Sequence, residues 1–337
     1  MNIRDIARLS GVGVSTVSRV LNNHPDVKES TREKVMQIIK ESNYIPNNSA
    51  RILKQNNTKN IGVLVKGVFN PFFSEMINVI GNKINESKYT MILQQNDFGL
   101  EQDVDTLKAF IKEKRLQGVI CLGGNFIDID EESFKNIDVP VILTSVNTIV
   151  PKGKDDYSTV GIDNLKSSYD ATEYLIKLGH KNIAIMLGEK NDLCISWWRY
   201  KGYKQALENN GIEVDNDNLL IGDYDIRTAY NESKKLLERN NKITAVFAIS
   251  DIMAMGVAKA VADCGLRVGE DVSVMGFDGM DVSEFYNPGI TTMKQPKEAM
   301  ALTSVDLLFS LLSGKGKHKH ILLDTELIER KSCACIK

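Results

Sequence analysis

The sequence predicts a small all-α unit at the N-terminus followed by a much larger α/β unit. Apolar residues in the first 46 positions recur at helical spacing, whereas from Ile61 onward short apolar runs alternate with amphipathic stretches. The chain has 337 residues, which exceeds one typical domain. Residues 1–59 carry ten Lys and Arg against five Asp and Glu, a net charge of +5. Because the whole chain carries −2, the body carries −7, and this asymmetry indicates two separate tasks.

The head is predicted as three helices around one small core. Asn2 is placed to cap the first helix, and the glycines of "GVG" at 11–13 force a tight turn before the second. Ser30 and Glu33 have capping-box spacing at the start of a third helix, and Pro46 ends the unit. The expected core residues are Ile3, Ile6, Ala7, Val17, Val20, Leu21, Val35, Ile38 and Ile39.

Two short helices joined by a glycine turn and followed by a third form a helix-turn-helix arrangement, whose second helix enters the major groove of DNA. Away from its apolar face, that helix presents Val14, Ser15, Thr16, Ser18 and Arg19. Small hydroxyls and an arginine suit base edges and phosphates. The alternative is a helical domain with a solvated polar face, and the pattern favours DNA binding. The following segment, "NNSARILKQNN" at 47–57, lacks an adequate apolar stripe and should be at most marginally helical alone.

The body repeats a pattern of apolar strand-like runs and amphipathic helical stretches. The runs are "NIGVLV", "YTMILQQ", "GVICLGG", "VPVILTS", "NIAIMLG", "TAVFAIS" and "VSVMGFD". This alternation predicts βαβ units and parallel sheets with helices on both faces. The pattern restarts after a polar stretch at 147–158, which indicates two similar lobes. Since ligands bind beyond the carboxyl ends of such strands, the two lobes should form a ligand cleft, as in sugar-binding receptors.

The sequence gives no support for catalysis, a metal or a cofactor. None of the four histidines accompanies a nucleophile in a recognisable arrangement, and no phosphate-binding glycine motif follows a strand. Cys333 and Cys335 form a C-x-C pair, and His318 and His320 lie in "GKGKHKH", but no second pair completes a metal site. Free thiols and a solvated turn are the favoured interpretations. We expect no catalytic residue, no metal ligand and no cofactor.

Composition and the N-terminus predict a cytoplasmic protein without membrane association. No apolar run approaches the ~20 residues that span a bilayer. The opening "MNIRDIARLS" lacks the apolar region of a signal peptide, and an odd number of scattered cysteines, five, fits a reducing compartment.

Over essentially all 337 residues the chain resembles the LacI/GalR family of bacterial transcriptional repressors. The head carries "IRDIARLSGVGVSTVSRVLNN" and "TREKVMQIIKESNYIPNNSARILKQNNTKNIGVLV". The body carries "NPFFSEM", "TVGIDN", "LIKLGHKNIAIMLG", "RYKGYKQAL", "AISDIMAMGVAKA", "GLRVGEDVSVMGFD", "PGITTMKQP" and "LLDTELIER". A register match over several widely spaced motifs is far more specific than any one of them.

The resemblance implies a helix-turn-helix head and two doubly wound parallel-sheet lobes of periplasmic-binding-protein type. The expected divisions are a DNA-binding domain at 1–46, a hinge helix or linker at 47–59, and an effector-binding and dimerisation domain at 60–337. Within that domain we expect a first lobe at about 60–146 and 293–318, and a second lobe at about 147–292 and 319–337.

The resemblance also assigns DNA contacts. Val14 and Ser15 fall where the family's two specificity residues begin the recognition helix, and Thr16 and Arg19 match its usual backbone and base contacts. In the family, the segment at 47–55 becomes a helix only on DNA, with Leu53 wedged into the minor groove. The full set of expected DNA contacts is Val14, Ser15, Thr16, Ser18, Arg19, Asn22, Ala50, Arg51, Leu53 and Lys54. One departure is Gly13, where the family usually places a serine cap.

Effector contacts are implied in the same way. Asp278, at the end of "VSVMGFD", can accept two vicinal hydroxyls, and Arg199 can clamp hydroxyls with its rigid fork. An indole at Trp197 or Trp198 stacked on a pyranose would suit a sugar. The expected effector contacts are Phe72, Phe73, Ser145, Trp197, Arg199, Tyr224, Ser250 and Asp278.

Several of these residues have an alternative interpretation. Phe73 and one of the two tryptophans are more often core residues than pocket residues. Asp251 is expected to cap the following helix rather than to contact ligand. Many members of the family carry Asp where this chain has Ser145, so the sugar contact of that carboxylate does not transfer.

We therefore expect a transcriptional regulator, a repressor, that binds double-stranded operator DNA as a homodimer, with a tetramer left open. A small effector, expected to be an inducing sugar, would control operator affinity. The alternatives are a cytoplasmic sugar receptor without operator recognition, or a regulator that answers to a purine or a phosphoprotein co-repressor. The basic head argues against the receptor.

Overall fold

A computed structural model of the chain describes most of its length. The described residues are 1–21, 23–44, 59–66, 71–96, 103–124, 126, 129, 132–146, 155–189 and 195–336, without the side chains of Lys66 and Asn96. The chain divides into two compact units, Met1–Thr58 and Lys59–Lys337.

The first unit contains three helices: α1 (Ile3–Ser10), α2 (Val14–Leu21) and α3 (Glu29–Glu41). Asn2 caps α1 as predicted, because its side-chain oxygen accepts hydrogen bonds from the backbone N–H groups of Arg4 (2.9 Å) and Asp5 (3.2 Å). Gly11 ends α1 with a left-handed φ of 64°, which glycine adopts without the strain of a side chain. The residues buried between the helices are Ile6, Ala7, Val17, Val20, Val35 and Tyr44.

The predicted capping box at the start of α3 is wrong. The helix begins at Glu29 after Lys28, which caps it without a side-chain hydrogen bond, so Ser30 already lies inside the first turn. The Arg32 guanidinium donates to Asn23 Oδ1 (2.7 Å) and to the His24 carbonyl (2.8 Å). These tertiary bonds fasten the first turn of α3 to the preceding loop, a contact that local spacing does not reveal.

The second unit contains two six-stranded sheets and the helices that cover them. In chain order its elements are β1 (Asn60–Lys66), α4 (Pro71–Asn85), β2 (Thr90–Asn96), α5 (Asp103–Lys114), β3 (Leu116–Leu122), β4 (Val141–Thr144), β5 (Ser158–Ile162), α6 (Asn164–Lys177), β6 (Ile183–Leu187), α7 (Ile195–Asn209), a 3₁₀ turn (Asn216–Asn218), β7 (Leu219–Ile221), α8 (Ile226–Arg239), β8 (Ala245–Ala248), α9 (Asp251–Asp263), β9 (Ser273–Asp278), α10 (Asp281–Phe285), β10 (Thr291–Lys294), α11 (Lys297–Leu312), β11 (His320–Leu323) and β12 (Glu326–Ile328).

Both sheets are built from parallel strands with crossover helices. The first has the order β2-β1-β3-β4-β5-β11, and the second has the order β7-β6-β8-β9-β10-β12, in which β12 alone among the described strands is antiparallel to its neighbour. Every residue of β4, β5, β6, β8 and β9 is buried, as expected of parallel strands covered on both faces. The predicted fold class, an all-α head and two doubly wound lobes, is confirmed.

The strand order shows that the boundaries between the two lobes differ from those expected from the sequence. β5 belongs to the first sheet, because Ile142 to Thr144 of β4 pair with Ser158 to Val160, although residues from 147 were expected in the second lobe. β10 belongs to the second sheet, and β11 belongs to the first, where Leu322 pairs with Gly161. The described chain therefore crosses between the sheets at three places, after β5, after β10 and after β11.

The crossover after β10 is the one that matters for the site described below. β10 ends at Lys294 in the second sheet, and α11 begins three residues later against α4 and the strands of the first sheet. A strand end of one lobe and a helix start of the other are thus separated by two residues. Within the described part of the chain, no helix is both long and apolar enough to cross a membrane.

Candidate functional site

The outer face of α2 is polar and accessible. Val14, the first residue of the helix, is 41% exposed, and Ser15 and Arg19 are exposed, whereas Thr16 and Ser18 are half-buried. Val17 and Val20 point the other way and are buried in the core of the head. Because one face of α2 is fixed by the core, the other face presents a defined set of side chains to the outside.

Arg19 is held in place by an acidic neighbour. Its Nη1 lies 3.2 Å from Asp26 Oδ2, and His24 Nδ1 lies 2.6 Å from the other oxygen of the same carboxylate. The pair is well exposed, so it contributes little stability. Among the other expected DNA contacts, Asn22, Ala50, Arg51, Leu53 and Lys54 lie outside the described residues.

In the body, the structure brings Arg199 of α7 and Asp278 at the end of β9 together. Arg199 Nη1 lies 3.9 Å from Asp278 Oδ1, and both side chains are 4% exposed. The guanidinium donates from Nε to Asn164 Oδ1 (3.0 Å) and from Nη1 to the Ile249 carbonyl (2.6 Å). Its Cζ atom lies 3.6 Å from the ring centroid of Phe277. These contacts lock the fork in one orientation, which favours recognition of a defined hydroxyl pattern.

The Asp278 carboxylate sits in an unusual setting. Gln295 Nε2 donates to its Oδ1 at 2.8 Å, whereas its Oδ2 is buried with no hydrogen-bond partner among the described residues. Burial raises the pKa of Asp278 from 3.8 to about 7, Arg199 opposes that shift and Asp251 adds to it. A buried acceptor without a partner is costly unless a ligand can supply the donor.

Gln295 was not among the residues expected at the site, and Asp251 was expected there only as a helix cap. Gln295 is 2% exposed, and its Oε1, like Asp278 Oδ2, is buried with no hydrogen-bond partner that the described residues supply. The only sequence signal was the position of Gln295 in "MKQP", at the end of a strand. Asp251 was expected to cap α9. In the structure Ser250 is the cap, with its Oγ accepting from Met253 N at 3.3 Å, while Asp251 accepts from Met280 N at 2.6 Å.

Tyr224 lies at a second point beyond the strand ends of the same lobe. Its hydroxyl is 3.2 Å from Ser196 Oγ, which accepts from the Gly188 N–H at 3.1 Å. The Tyr224 ring lies so close to Gly188 that a Cβ there would come within 2.1 Å of a ring carbon. Gly188 follows β6 and Ser196 lies in the first turn of α7. Both residues contact Tyr224 and so fix its position at this edge of the sheet.

The two tryptophans share a cation. Lys201 Nζ is 5.1 Å from the ring centroid of Trp197 and 4.5 Å from that of Trp198. Trp197 is 42% exposed and Trp198 is half-buried, so neither is a buried core residue, contrary to the expectation for one of them.

Both phenylalanines that were expected near the pocket pack in or against the core of the body. Phe72 is 2% exposed and belongs to the core, while Phe73 is half-buried and packs edge-on against it with ring centroids 5.3 Å apart. Ser145 follows β4 with a φ of 56°, and its N–H donates to the Val160 carbonyl at 2.9 Å. These three residues belong to the lobe of the first sheet, whereas Arg199 and Asp278 belong to the lobe of the second.

Family models match both units of the chain. The model described as "Bacterial regulatory proteins, lacI family" matches residues 2–47, and the "Periplasmic binding protein-like domain" matches residues 172–333. The HTH-type transcriptional regulator MalR of Clostridium butyricum is 68% identical over 333 residues, which is 99% of each chain.

Solved structures agree over the whole length. A complex of the transcriptional regulator CelR with cellobiose has 29% identity and a TM-score of 0.72, covering 98% of this chain and 99% of that one. The lac repressor dimer bound to operator and the anti-inducer ONPF has 26% identity and a TM-score of 0.74, with 99% of each chain covered. The chain therefore belongs to the lacI family of bacterial regulatory proteins and is a DNA-binding transcriptional regulator with a helix-turn-helix head and a periplasmic-binding-protein-like body.

Proposed function

We propose that the chain is a repressor whose affinity for operator DNA is lowered by a neutral sugar bound at Arg199 and Asp278. The observation that carries the proposal is the buried pair itself. The Arg199 guanidinium lies beside the Asp278 carboxylate, whose Oδ1 accepts a hydrogen bond from Gln295 and whose Oδ2 has no hydrogen-bond partner among the described residues. Hydroxyl groups of a sugar can donate a hydrogen bond to Asp278 Oδ2 and accept hydrogen bonds from the guanidinium.

The surroundings of the pair support a neutral rather than a charged effector. Arg199 and Lys297 bring positive charge near Asp278, while Asp278 and Asp251 bring two carboxyl groups, so neither sign prevails. Tyr224 supplies an aromatic face at the same edge of the second sheet, and aromatic rings stack on the apolar faces of sugar rings. The similar CelR structure contains cellobiose, which agrees with a sugar effector.

For the DNA side, Val14 and Ser15 would read the operator bases, and Thr16 and Arg19 would hold the duplex. Two heads on a homodimer would read two half-sites of a near-palindrome. The lac repressor structure is a dimer on its operator, which supports this arrangement. Such a regulator would act in the cytoplasm. The sugar would act only through its different affinity for the operator-competent and released states.

The test is a thermal-shift screen of the full chain against ribose, glucose, maltose and cellobiose, with hypoxanthine and guanine in the same plate. We expect stabilisation by at least one sugar, because a ligand that binds only the folded chain raises its melting temperature. Asp278→Ala and Arg199→Ala should abolish the shift, and Asp263→Ala, at the exposed end of α9, should keep it. Stabilisation by a purine alone would contradict the sugar and favour a purine co-repressor.

A further inference from the structure

The backbone at Asp278 adopts a conformation that aspartate seldom holds unaided. Asp278 has a φ of 108°, and Gly279 follows with a φ of 68°. Such a conformation is strained for a non-glycine residue, and it persists only where surrounding contacts enforce it. The direction of the Asp278 side chain therefore depends on whatever holds the turn from Asp278 to Met280.

Two side chains from other elements hold that turn. The Gly279 N–H donates to Thr292 Oγ1 of β10 at 3.3 Å, and the Met280 N–H donates to Asp251 Oδ2 at 2.6 Å. Asp251, at the start of α9, and Thr292 are both fully buried. The two consecutive amides after Asp278 are thus bound by side chains that come from outside the turn.

Asp251 is a fully buried carboxyl group, which indicates a specific role for it. A buried carboxyl group is costly, and an apolar side chain would fill the same space more cheaply. Burial raises the pKa of Asp251 to about 6, while the hydrogen bond from the Met280 N–H, the nearby hydroxyls of Thr292 and Ser283 and the charge of Arg330 oppose the shift. Its Oδ1 sits where a Cβ on Gly276 would approach to 2.2 Å, so a glycine in β9 makes room for the group. The carboxyl group of Asp251 therefore contacts both strand β9, at Gly276, and the turn that follows it, at Met280.

We propose that Asp251, together with Thr292, is a positioning residue for effector recognition: it holds the Asp278–Met280 turn and so directs the Asp278 carboxylate toward Arg199 and the effector. This inference rests on the proposed function, since it takes Asp278 to be the group that contacts the effector. Asp251 itself does not contact the effector. Its negative charge also keeps Asp278 easier to protonate, since Asp251 raises the pKa of Asp278.

The first experiment measures the turn without any effector. Amide hydrogen exchange of Met280 and Gly279 is compared in the wild-type chain and in Asp251→Ala, Asp251→Asn and Asp263→Ala. Asp251→Ala removes the acceptor, so exchange of the Met280 amide should accelerate at least tenfold. Asp251→Asn keeps an oxygen acceptor and should restore protection, and the exposed Asp263→Ala control should match wild type. Unchanged Met280 exchange in Asp251→Ala would overturn the proposal.

The second experiment measures the dissociation constants of maltose, cellobiose, glucose and ribose for the same variants by calorimetry. For whichever of these probes binds wild type, Asp251→Ala should weaken binding at least tenfold and Asp251→Asn should restore it to within threefold at pH 8. Asp251→Asn should also shift the pH dependence of binding to lower pH, a change that a merely structural residue would not produce. Wild-type affinity in Asp251→Ala, with binding lost in Asp278→Ala, would overturn the positioning role.

The outcomes separate this inference from the proposed function. If none of the four sugars binds wild type, or if Asp278→Ala binds them normally, the proposed function fails and the exchange experiment still decides whether Asp251 holds the turn. Should Asp251→Ala fail to fold, Thr292→Val replaces it, because valine keeps the volume of threonine and removes the acceptor of the Gly279 amide. Faster Gly279 exchange and weaker sugar binding in that variant support the proposal, and wild-type values contradict it.

Discussion

Gln295 and Asp278 are joined by two hydrogen bonds, one between their backbones and one between their side chains. The Gln295 N–H donates to the Asp278 carbonyl at 3.2 Å, and Gln295 Nε2 donates to Asp278 Oδ1 at 2.8 Å. Two residues further on, the Lys297 N–H donates to the Gln295 carbonyl, and its ammonium lies 2.5 Å from Glu75 Oε2 on α4. One short crossover segment therefore touches the carboxylate of the second lobe and a helix of the first.

Asp278 should make the chain less stable as the pH rises toward neutrality. Burial raises its pKa from 3.8 to about 7, so between these values the folded state binds the proton and the unfolded state does not. The unfolding free energy then falls with rising pH, by up to about 4 kcal/mol from this group. Chemical denaturation between pH 4 and pH 8 should show a smaller fall in Asp278→Asn than in wild type.

The matched control for this titration is Asp263→Asn, since Asp263 is exposed and its pKa is lowered by Lys259 rather than raised. That variant should keep the wild-type fall in stability between pH 4 and pH 8. An equal fall in wild type and Asp278→Asn would show that Asp278 does not hold its proton in the folded chain.

Glu75→Gln should destabilise the body by about 1–2 kcal/mol. The Lys297 side chain is 10% exposed and would lose its nearest counter-charge, while Glu75 is 41% exposed, so the cost falls below the ~3–5 kcal/mol of a fully buried pair. Urea denaturation measures the change, and Glu75→Gln combined with Lys297→Met should recover part of it. Glu232→Gln, which removes an exposed pair with Lys235, should change stability by less than ~0.5 kcal/mol. A Glu75→Gln effect as small as that control would contradict a structural role for the pair.

The local part of this architecture could be predicted from the sequence. The Asn2 cap and the alternation of strands and helices depend on neighbours within a few residues, and both are confirmed. The expectation that Arg199 and Asp278 lie together came from the family resemblance, and the structure places their side chains 3.9 Å apart. Whether they bind an effector stays a prediction.

Features that depend on distant pairing could not be predicted. The sheet to which β11 belongs depends on its pairing with β5, some 160 residues earlier in the chain, and its own residues are too exposed to show a strong pattern. For the same reason the sequence does not reveal the contact of Asp251 with the Met280 backbone or the positive φ of Asp278.

Phe285→Glu should weaken the proposed homodimer. Phe285 is 84% exposed and Val282, on the same short helix, is 47% exposed, and apolar side chains exposed together often mark a protein interface. Introducing a charge there should raise the dimer dissociation constant by roughly 30-fold, a value typical of an important interface residue. Sedimentation equilibrium measures the change, with Leu322→Glu on β11, 68% exposed, as the control. Equal dissociation constants for Phe285→Glu and wild type would place the interface elsewhere.

Gly13→Ser should tighten operator binding by less than about threefold without changing the preferred sequence. The Gly13 carbonyl accepts from the N–H groups of Thr16 (2.9 Å) and Val17 (3.1 Å), so this residue occupies the cap position of α2. A Cβ there would meet only Ser15 Oγ at 3.5 Å, so serine fits and adds a few tenths of a kcal/mol of capping. Selection from randomised DNA measures preference and affinity together. Gly11→Ser is the control, because φ is 64° there and serine should destabilise the head. A changed preferred sequence in Gly13→Ser would contradict this account.

We propose that the basic helix-turn-helix head binds operator DNA under the control of a sugar held by Arg199 and Asp278. The most direct measurement selects DNA from a random pool with the full chain and then titrates the selected duplex with maltose, cellobiose or ribose. We predict a near-palindromic sequence, binding that weakens with salt, and release by a sugar in wild type but not in Asp278→Ala. Absence of a selected sequence at any salt concentration, or equal release of both proteins, would contradict it.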